Sequence, residues 1–366
     1  EYYTAGNVIL TAPPVAGTLD YRVVSPGGNG FWQDEKGRLW IRKGGSLEII
    51  PEKGRGCDRG KTFSQLVKDG TAEFTLTKTD PEGNVTAVSK ARSIRWYVDD
   101  KAPSGSLLVN GHLSSGKEYF TEDVTVSMSQ AGDPQSGIRR IRMSVVRNDS
   151  PGGAGGSGWM DRTEVTLTED GSYTVYAKLE DCVGNTETVC SGEVVIDRKA
   201  PGITITGAAA GSANKGTVMP VVTVSDENLS PDGTNVSLYG SQDPERKAAC
   251  QTELLDGRMI FRFADIPAEK KWDDIYILKV SGEDRAGNRS EQTRIFSVNR
   301  FGSVYYPEGD LQEKMESYYH PEAFPVEVRE INVDDVIESR ITLVYEGRSR
   351  LLQKGKAYTV GTEGEG

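Results

Sequence analysis

The sequence predicts an all-β chain of consecutive sandwiches, and three observations carry that expectation. A turn motif, Asp-x-x-Gly-Asn, occurs three times, with its glycines at Gly83, Gly184 and Gly287. Apolar residues alternate at period two ahead of each copy, the pattern of a strand with one buried face. Glycine is abundant, 42 of 366 residues, and long helical periods are missing, which favours turn-rich β structure.

The three motifs are Asp80-Pro-Glu-Gly83-Asn84, Asp181-Cys-Val-Gly184-Asn185 and Asp284-Arg-Ala-Gly287-Asn288. Seven, nine and eleven residues before each glycine stand Leu76, Phe74 and Ala72, then Ala177, Val175 and Tyr173, then Val280, Leu278 and Tyr276. A second apolar run follows every turn: Ile94 to Val98, Val194 to Ile196, and Ile295 to Val298. Strand, turn and strand read as a hairpin, made three times. Two hairpins end in matching sequences, Asp99-Asp-Lys-Ala-Pro103 and Asp197-Arg-Lys-Ala-Pro201. Proline just past a strand stops ladder pairing and stiffens the connection. Boundaries therefore fall near 100, 198 and 300, giving units over 1–100, 101–198 and 199–300, the first of them divergent. Each has the size and strand pattern of an immunoglobulin-like sandwich. Small joints between such units would make an elongated, monomeric rod.

Residues 301–366 differ from the repeats. A short helix or turn is expected over Leu311–Tyr319, and strands over Pro325–Ile331 and Ile341–Tyr345. This stretch reads as a short C-terminal β segment or a truncated fourth unit, ending in a loose tail, Gly361–Gly366. Both termini are expected to be artificial cuts in a longer chain.

The composition excludes several classes of function. With 43 Lys and Arg against 54 Asp and Glu, the net charge is −11, and no basic stripe offsets it for binding nucleic acid. No run approaches the roughly 18 apolar residues of a membrane span. His112 and His320 are the two histidines, too few for a His-rich metal site or a Ser/His/Asp triad. The four cysteines, Cys57, Cys182, Cys190 and Cys250, contain no C-x-x-C pair. A Cys182–Cys190 bridge across one hairpin and free buried thiols are the two alternatives for them.

Together, the Asp284-Arg-Ala-Gly287-Asn288 turn, the Asp-x-x-Ala-Pro boundaries, Asp133-Pro-Gln-Ser-Gly137-Ile138 and the run Val298–Val304 carry a resemblance. The chain resembles, over its whole length, the tandem bacterial immunoglobulin-like modules of large Gram-positive cell-surface proteins, those of gut anaerobes especially. Its first unit departs from that pattern at Pro81-Glu82 and at the Gly-rich segment from Gly54 to Lys61. The resemblance implies an extracellular, wall-anchored parent protein and a non-catalytic role. A host surface or secreted protein, such as an immunoglobulin or a mucin-type glycoprotein, is the partner expected for an adhesin of this kind. A stalk that presents a distal domain and a glycan-binding accessory module of a surface enzyme are the alternatives.

Candidate chemistry is sparse, and no catalytic residue, metal ligand or cofactor is assigned. Asp and Asn in the repeated turns offer oxygen ligands for Ca²⁺, but one carboxylate per turn is too few, so they read as turn caps. The boundary acids Asp99, Asp100 and Asp197 lack enough converging partners in sequence, and Asp226-Glu-Asn228 with Asp232 lacks EF-hand spacing. Gly54–Thr62 has Arg55 where a phosphate-binding loop needs glycine. Pro151–Gly158 reads as a surface loop. A Lys–Asn isopeptide crosslink cannot be placed from sequence. Trp32 and Trp40 flank one turn and face each other across a hairpin. With Trp159 they are the candidate ligand-binding residues, core packing being the competing role. Trp96 reads as core, and Trp272 as a partly exposed loop residue.

Overall fold

The computed structural model describes residues 9–11, 21–26, 30–58, 62–114, 116–149, 158–309, 311, 327–331, 340–345 and 348–352. The chain divides into two compact units, Glu1–Asp197 and Arg198–Gly366.

The first unit contains two sandwiches. The first is built from a sheet of Ile9–Thr11, Tyr21–Val24, Gly45–Pro51 and Thr62–Leu66, a sheet of Phe31–Gln33, Leu39–Arg42, Arg92–Asp99 and Gly70–Phe74, and a three-stranded sheet of Val85–Ala87, Leu76–Thr79 and Gly56–Cys57. The second pairs a sheet of His112–Leu113, Ser104–Val109, Val124–Gly132 and Glu164–Leu167 with a six-stranded sheet centred on Gly171–Asp181. In the second unit, Gly202–Thr206, Val221–Ser225, Arg258–Phe263 and Cys250–Leu255 face Ala213–Asn214, Arg289–Val298, Asp274–Asp284 and Leu229–Gly240. These are tandem immunoglobulin-like sandwiches, each filled by its own apolar cluster: Val23 to Val98, Leu107 to Ile196, and Ile205 to Val298.

The three sandwiches repeat one topological signature. A strand early in each pairs in parallel with the strand that closes it: Leu39–Arg42 with Trp96–Asp99, Lys117–Phe120 with Glu193–Ile196, and Ala213–Asn214 with Ser297–Val298. The alternating residues ahead of each turn point inward: Phe74, Leu76, Val175, Ala177, Tyr276, Leu278 and Val280 are all at most 3% exposed. Burying such a side chain contributes about 1.5–3 kcal/mol, so these strands anchor the cores.

The returning half of the hairpin differs from the expected single strand in the first two sandwiches. A short strand, Val85–Ala87 or Thr186–Cys190, leaves the turn, and the chain then breaks at Ser89 or Ser191 before the closing strand begins. The serine hydroxyl accepts a backbone N–H across the hairpin, from Leu76 or Val175, and donates to the carbonyl of the next residue. It replaces the ladder bond that the break removes. In the second unit, Arg289–Val298 returns unbroken.

Tyrosine corners close two sandwiches. Tyr173 Oη donates to the Glu169 carbonyl at 3.0 Å, and Tyr276 Oη to the Trp272 carbonyl at 2.9 Å. Ala72 holds the matching position in the first sandwich, and there Trp96 Nε1 reaches the Lys68 carbonyl at 3.0 Å. The acceptor is again four residues before the strand position, now served from the neighbouring strand.

Asp274 opens the tyrosine-corner strand of the second unit and is fully buried. Its carboxylate accepts hydrogen bonds from Ser241 Oγ and the N–H groups of Gln242 and Ile275, with Arg246 3.5 Å away. Burial pushes this carboxyl above the ordinary Asp range, the Ser241, Gln242, Ile275 and Arg246 contacts opposing it. The folded state thus binds this proton more readily than the unfolded state does. The contribution of Asp274 to stability is greatest below about pH 4 and is lost as pH rises through its folded pKa. Between pH 4 and 7, the stability of Asp274→Asn should therefore decline less than that of the natural sequence, as read by urea unfolding at each pH.

Past residue 300, Val304–Glu308 pairs with Glu327–Ile331 and Ile341–Tyr345 with Arg348–Leu352, both antiparallel. Val304 is buried against Ile275 and Ile277. The helix or turn expected over Leu311–Tyr319 lies outside the described residues save Leu311, as do Pro151–Ser157, His320 and the tail after 352.

Candidate functional site

The repeated turns share one hydrogen-bond pattern. In each, the Asp N–H donates to the Asn carbonyl and the Gly N–H to the Asp carbonyl. The Asp carboxylate accepts the Asn N–H through Oδ1, at 2.7, 2.8 and 2.9 Å, and the Asn amide through Oδ2, at 3.0, 2.8 and 2.7 Å. The glycines have φ of 90°, 89° and 92°, the left-handed region that glycine adopts without strain. Capping thus accounts for Asp80, which is half-buried. It accounts less fully for Asp181, which is wholly buried.

Asp181 has acidic company that the linear sequence hides. Asp99 ends the closing strand of the first sandwich, Asp181 ends the central strand of the second, and Asp133 begins the turn Asp133–Gly137. One carboxylate oxygen from each lies within 4.8 Å of the others, and Asp99 is as fully buried as Asp181. Asp99 accepts N–H groups from Lys101 at 3.1 Å and Ser136 at 3.1 Å. Asp133 Oδ1 accepts those of Gln135 and Gly137, at 2.9 and 3.0 Å. Asn185 Nδ2 donates to Asp181 Oδ2 at 2.8 Å and the Lys101 carbonyl at 3.0 Å, with Asp99 Oδ1 at 3.4 Å. Burial pushes the Asp181 carboxyl up, and the Asp99 charge adds to the push against the Asn185 and Val183 donors.

The sequence expected too few acids at either joint for a cation. At the first joint the fold corrects this, because Asp133 comes from a third segment. The Asp133-Pro-Gln-Ser-Gly137 motif was visible, but nothing in its spacing joins it to Asp99. Asp100, by contrast, is exposed and pairs with Lys43 at 3.3 Å. Asp197 is 8% exposed, its N–H donating to the Phe120 carbonyl. Asp226 caps its own turn through the Asn228 N–H at 2.7 Å, and Asp232 is exposed.

Trp32 and Trp40 do face each other across their hairpin, and Tyr97 extends the row onto the next strand. The Trp40 ring lies 5.3 Å from that of Tyr97, with Arg38 over it at 5.3 Å and its Nε1 donating to Asp34. Trp40 is therefore closed over, 8% exposed, while Trp32 is half-buried. Trp159 is 44% exposed, Trp96 is core, and Trp272 is half-buried under Arg246.

All four cysteines are free. Cys190 stands opposite Tyr176 in the ladder while Cys182 lies in the turn beyond Asp181, which rules out a bridge between them. Among the described residues no lysine is buried, so none is placed for an isopeptide crosslink. Gly56 and Cys57 form a two-residue strand against Leu76–Thr77, and among the described residues no helix follows it to hold phosphate.

A different feature marks the second unit. Cys250–Leu255 is an edge strand, paired on one side with Arg258–Phe263, and all six of its residues are exposed. Leu254 and Leu255 are 58% and 53% exposed. The strand holds no Pro, Lys or bulge of the kind that blunts an edge. The other long edge of this unit, Leu229–Gly240, carries Pro231 and a register break between Ser230 and Asn235.

The sequence matches no protein-family model and no curated protein. Among solved structures it is similar to a tetra-tandem repeat from the extending region of a large adhesion protein, at 15% identity and a TM-score of 0.34, over 98% of this chain and 89% of that one. It is also similar to Dpr2 Ig1-Ig2 in complex with DIP-Theta Ig1-Ig3, at 10% identity and 0.36, over 80% and 94%. A bacterial ice-binding adhesin gives 15% and 0.27, over 71% and 93%. Likeness at this level says nothing about ligand or activity.

Proposed function

We propose that the chain is a non-catalytic segment of a bacterial cell-surface adhesin that engages a host surface or secreted protein, and that it does so through the edge strand Cys250–Leu255. The unblunted edge carries this reading. Its open backbone groups can hydrogen-bond an extended partner segment, and Leu254 and Leu255 give apolar contacts on alternate faces. The wall-anchored, extracellular setting rests on the sequence resemblance. A glycan-binding role has less support, because Trp40 is covered by Arg38.

The test is binding of the immobilised chain to mucin-type glycoproteins, immunoglobulins and glycans, with Leu254→Lys and Leu255→Lys in parallel. Saturable protein binding weakened at least about tenfold by either lysine, with an unchanged unfolding midpoint, supports the reading. Binding unaffected by both variants overturns the edge as the site. No binding at high micromolar concentration overturns the adhesin reading in favour of a spacer.

A further inference from the structure

We infer that Asp99, Asp133 and Asp181 form a binding site for a divalent cation, Ca²⁺, at the junction of the first and second sandwiches. The inference is independent of the adhesin reading.

Three carboxylates meet there within 4.8 Å, two of them without solvent exposure. Their hydrogen-bond donors are backbone N–H groups and the Asn185 amide, all neutral. Among the described residues, no Lys, Arg or His makes an ion pair with any of the three. Buried charge of one sign without a counter-charge is costly, and a cation is the direct remedy.

Two orphaned oxygens point to a missing ligand independently of the carboxylate count. Asp133 Oδ2 is buried with no hydrogen-bond partner, although Oδ1 of the same group has two. Ser136 is 7% exposed, and its Oγ is likewise buried and unpartnered, while its N–H is bound to Asp99 Oδ2. Native structures leave few buried polar atoms unpaired, so two in one five-residue turn beside a carboxylate cluster call for a partner. Asn185 is short of donors too. Its amide has two hydrogens for three oxygens, and the third, Asp99 Oδ1, is left at 3.4 Å.

The donor set selects the ion. Oxygen-only ligands disfavour Zn²⁺ and the softer metals, which prefer imidazole and thiolate. Carboxylates from three separate segments, with a hydroxyl and a carbonyl at hand, suit the irregular coordination that Ca²⁺ accepts better than the strict octahedron of Mg²⁺. The junction already has one clasp. Gln135 donates to the Val98 carbonyl at 3.1 Å and accepts the N–H groups of Asp100 and Lys101, both at 3.2 Å. An ion on Asp99, Asp133 and Asp181 would tie the same two segments together again and stiffen the joint at 99–103.

Isothermal titration of the EDTA-treated full chain with CaCl₂ tests the inference, alongside Asp133→Asn and Ser136→Ala. The natural sequence should bind with Kd on the order of 10⁻⁴ to 10⁻³ M, the range of extracellular modules. Asp133→Asn should bind one ion fewer, and Ser136→Ala should weaken that ion several-fold. At a hundredfold excess over Kd, Ca²⁺ should raise the unfolding midpoint of the natural chain by about 5–10 °C, a gain that Asp133→Asn loses. MgCl₂ should do neither at equal concentration. Equal stoichiometry in the natural chain and a folded Asp133→Asn overturns the inference. So does the absence of any Ca²⁺ binding by the natural chain up to 10 mM (about ten times the weakest expected Kd). Ser136→Ala removes one hydroxyl and keeps the carboxylates, so its affinity decides the matter if Asp133→Asn does not fold.

Discussion

Tyr276→Ala should destabilise the second unit by about 3–5 kcal/mol, the cost of truncating a large aromatic residue in a packed core. Tyr276 has no exposed surface and stacks on Phe296 with ring centroids 5.8 Å apart, itself wholly buried. Its hydroxyl also holds the Trp272 carbonyl, which alanine leaves without that donor. Tyr276→Phe separates the two effects: it keeps the ring and should cost about 1–2 kcal/mol for the hydrogen bond. Urea unfolding of both variants gives the comparison, and equal losses would show that the corner bond rather than the core sets the cost. The phenol supplies a second readout. Burial, with the nearby Asp274 charge adding to it, pushes its pKa up to about 12, so in the folded protein it should ionise after the exposed tyrosines in an ultraviolet pH titration.

Trp96→Ala should cost the first sandwich a similar amount, about 3–5 kcal/mol by the same reasoning. The indole lies against Phe63, 5.6 Å between centroids, and is 8% exposed. Its contribution has a second source. Nε1 supplies the hydrogen bond to Lys68 that a tyrosine corner supplies elsewhere; both variants lose it, so Trp96→Phe should itself cost about 1 kcal/mol or more, and Trp96→Ala should exceed it by the burial of the ring that Phe keeps. Gly70 shows how closely the ring is held: a Cβ there would stand 2.2 Å from Cζ2 of Trp96. Gly70→Ala should accordingly destabilise by about 1–3 kcal/mol through overpacking, although it removes no contact. Thermal unfolding of the three variants checks the order Trp96→Ala, then Trp96→Phe, and an outcome in which Gly70→Ala is neutral would mean that the ring has room to move.

The features legible in the sequence are those that local chemistry controls. Alternation at period two located the buried faces of the hairpin strands, and Asp with Gly and Asn at fixed offsets located the turns, because side-chain caps and a positive φ are satisfied within five residues. Leu76, Val175 and Leu278 are buried as that pattern requires. The features hidden from the sequence depend on which segments meet in space. Ser89 and Ser191 break the returning strands through contacts across the sheet. Trp96 completes a corner whose own strand carries Ala72. Asp133 lies 34 residues from Asp99 and 48 from Asp181, and no periodicity links the three. The exposed edge at Cys250–Leu255 was equally invisible, since its composition resembles that of a half-buried strand and only sheet order places it outermost.

The parallel pairing of an early strand with the closing strand determines how each sandwich answers tension. A chain pulled by its ends draws the early strand backward and the closing strand forward. Once the leading strands have peeled away, the two slide against each other, and the hydrogen bonds of the pair are strained together rather than unzipped one at a time. Rupture is then governed by the unfolding rate, which a shared load slows. The first and second sandwiches have four register pairs in this clamp and the third has two. Under a rising pull the third should yield earliest, lengthening the chain and shielding its neighbours from the peak force.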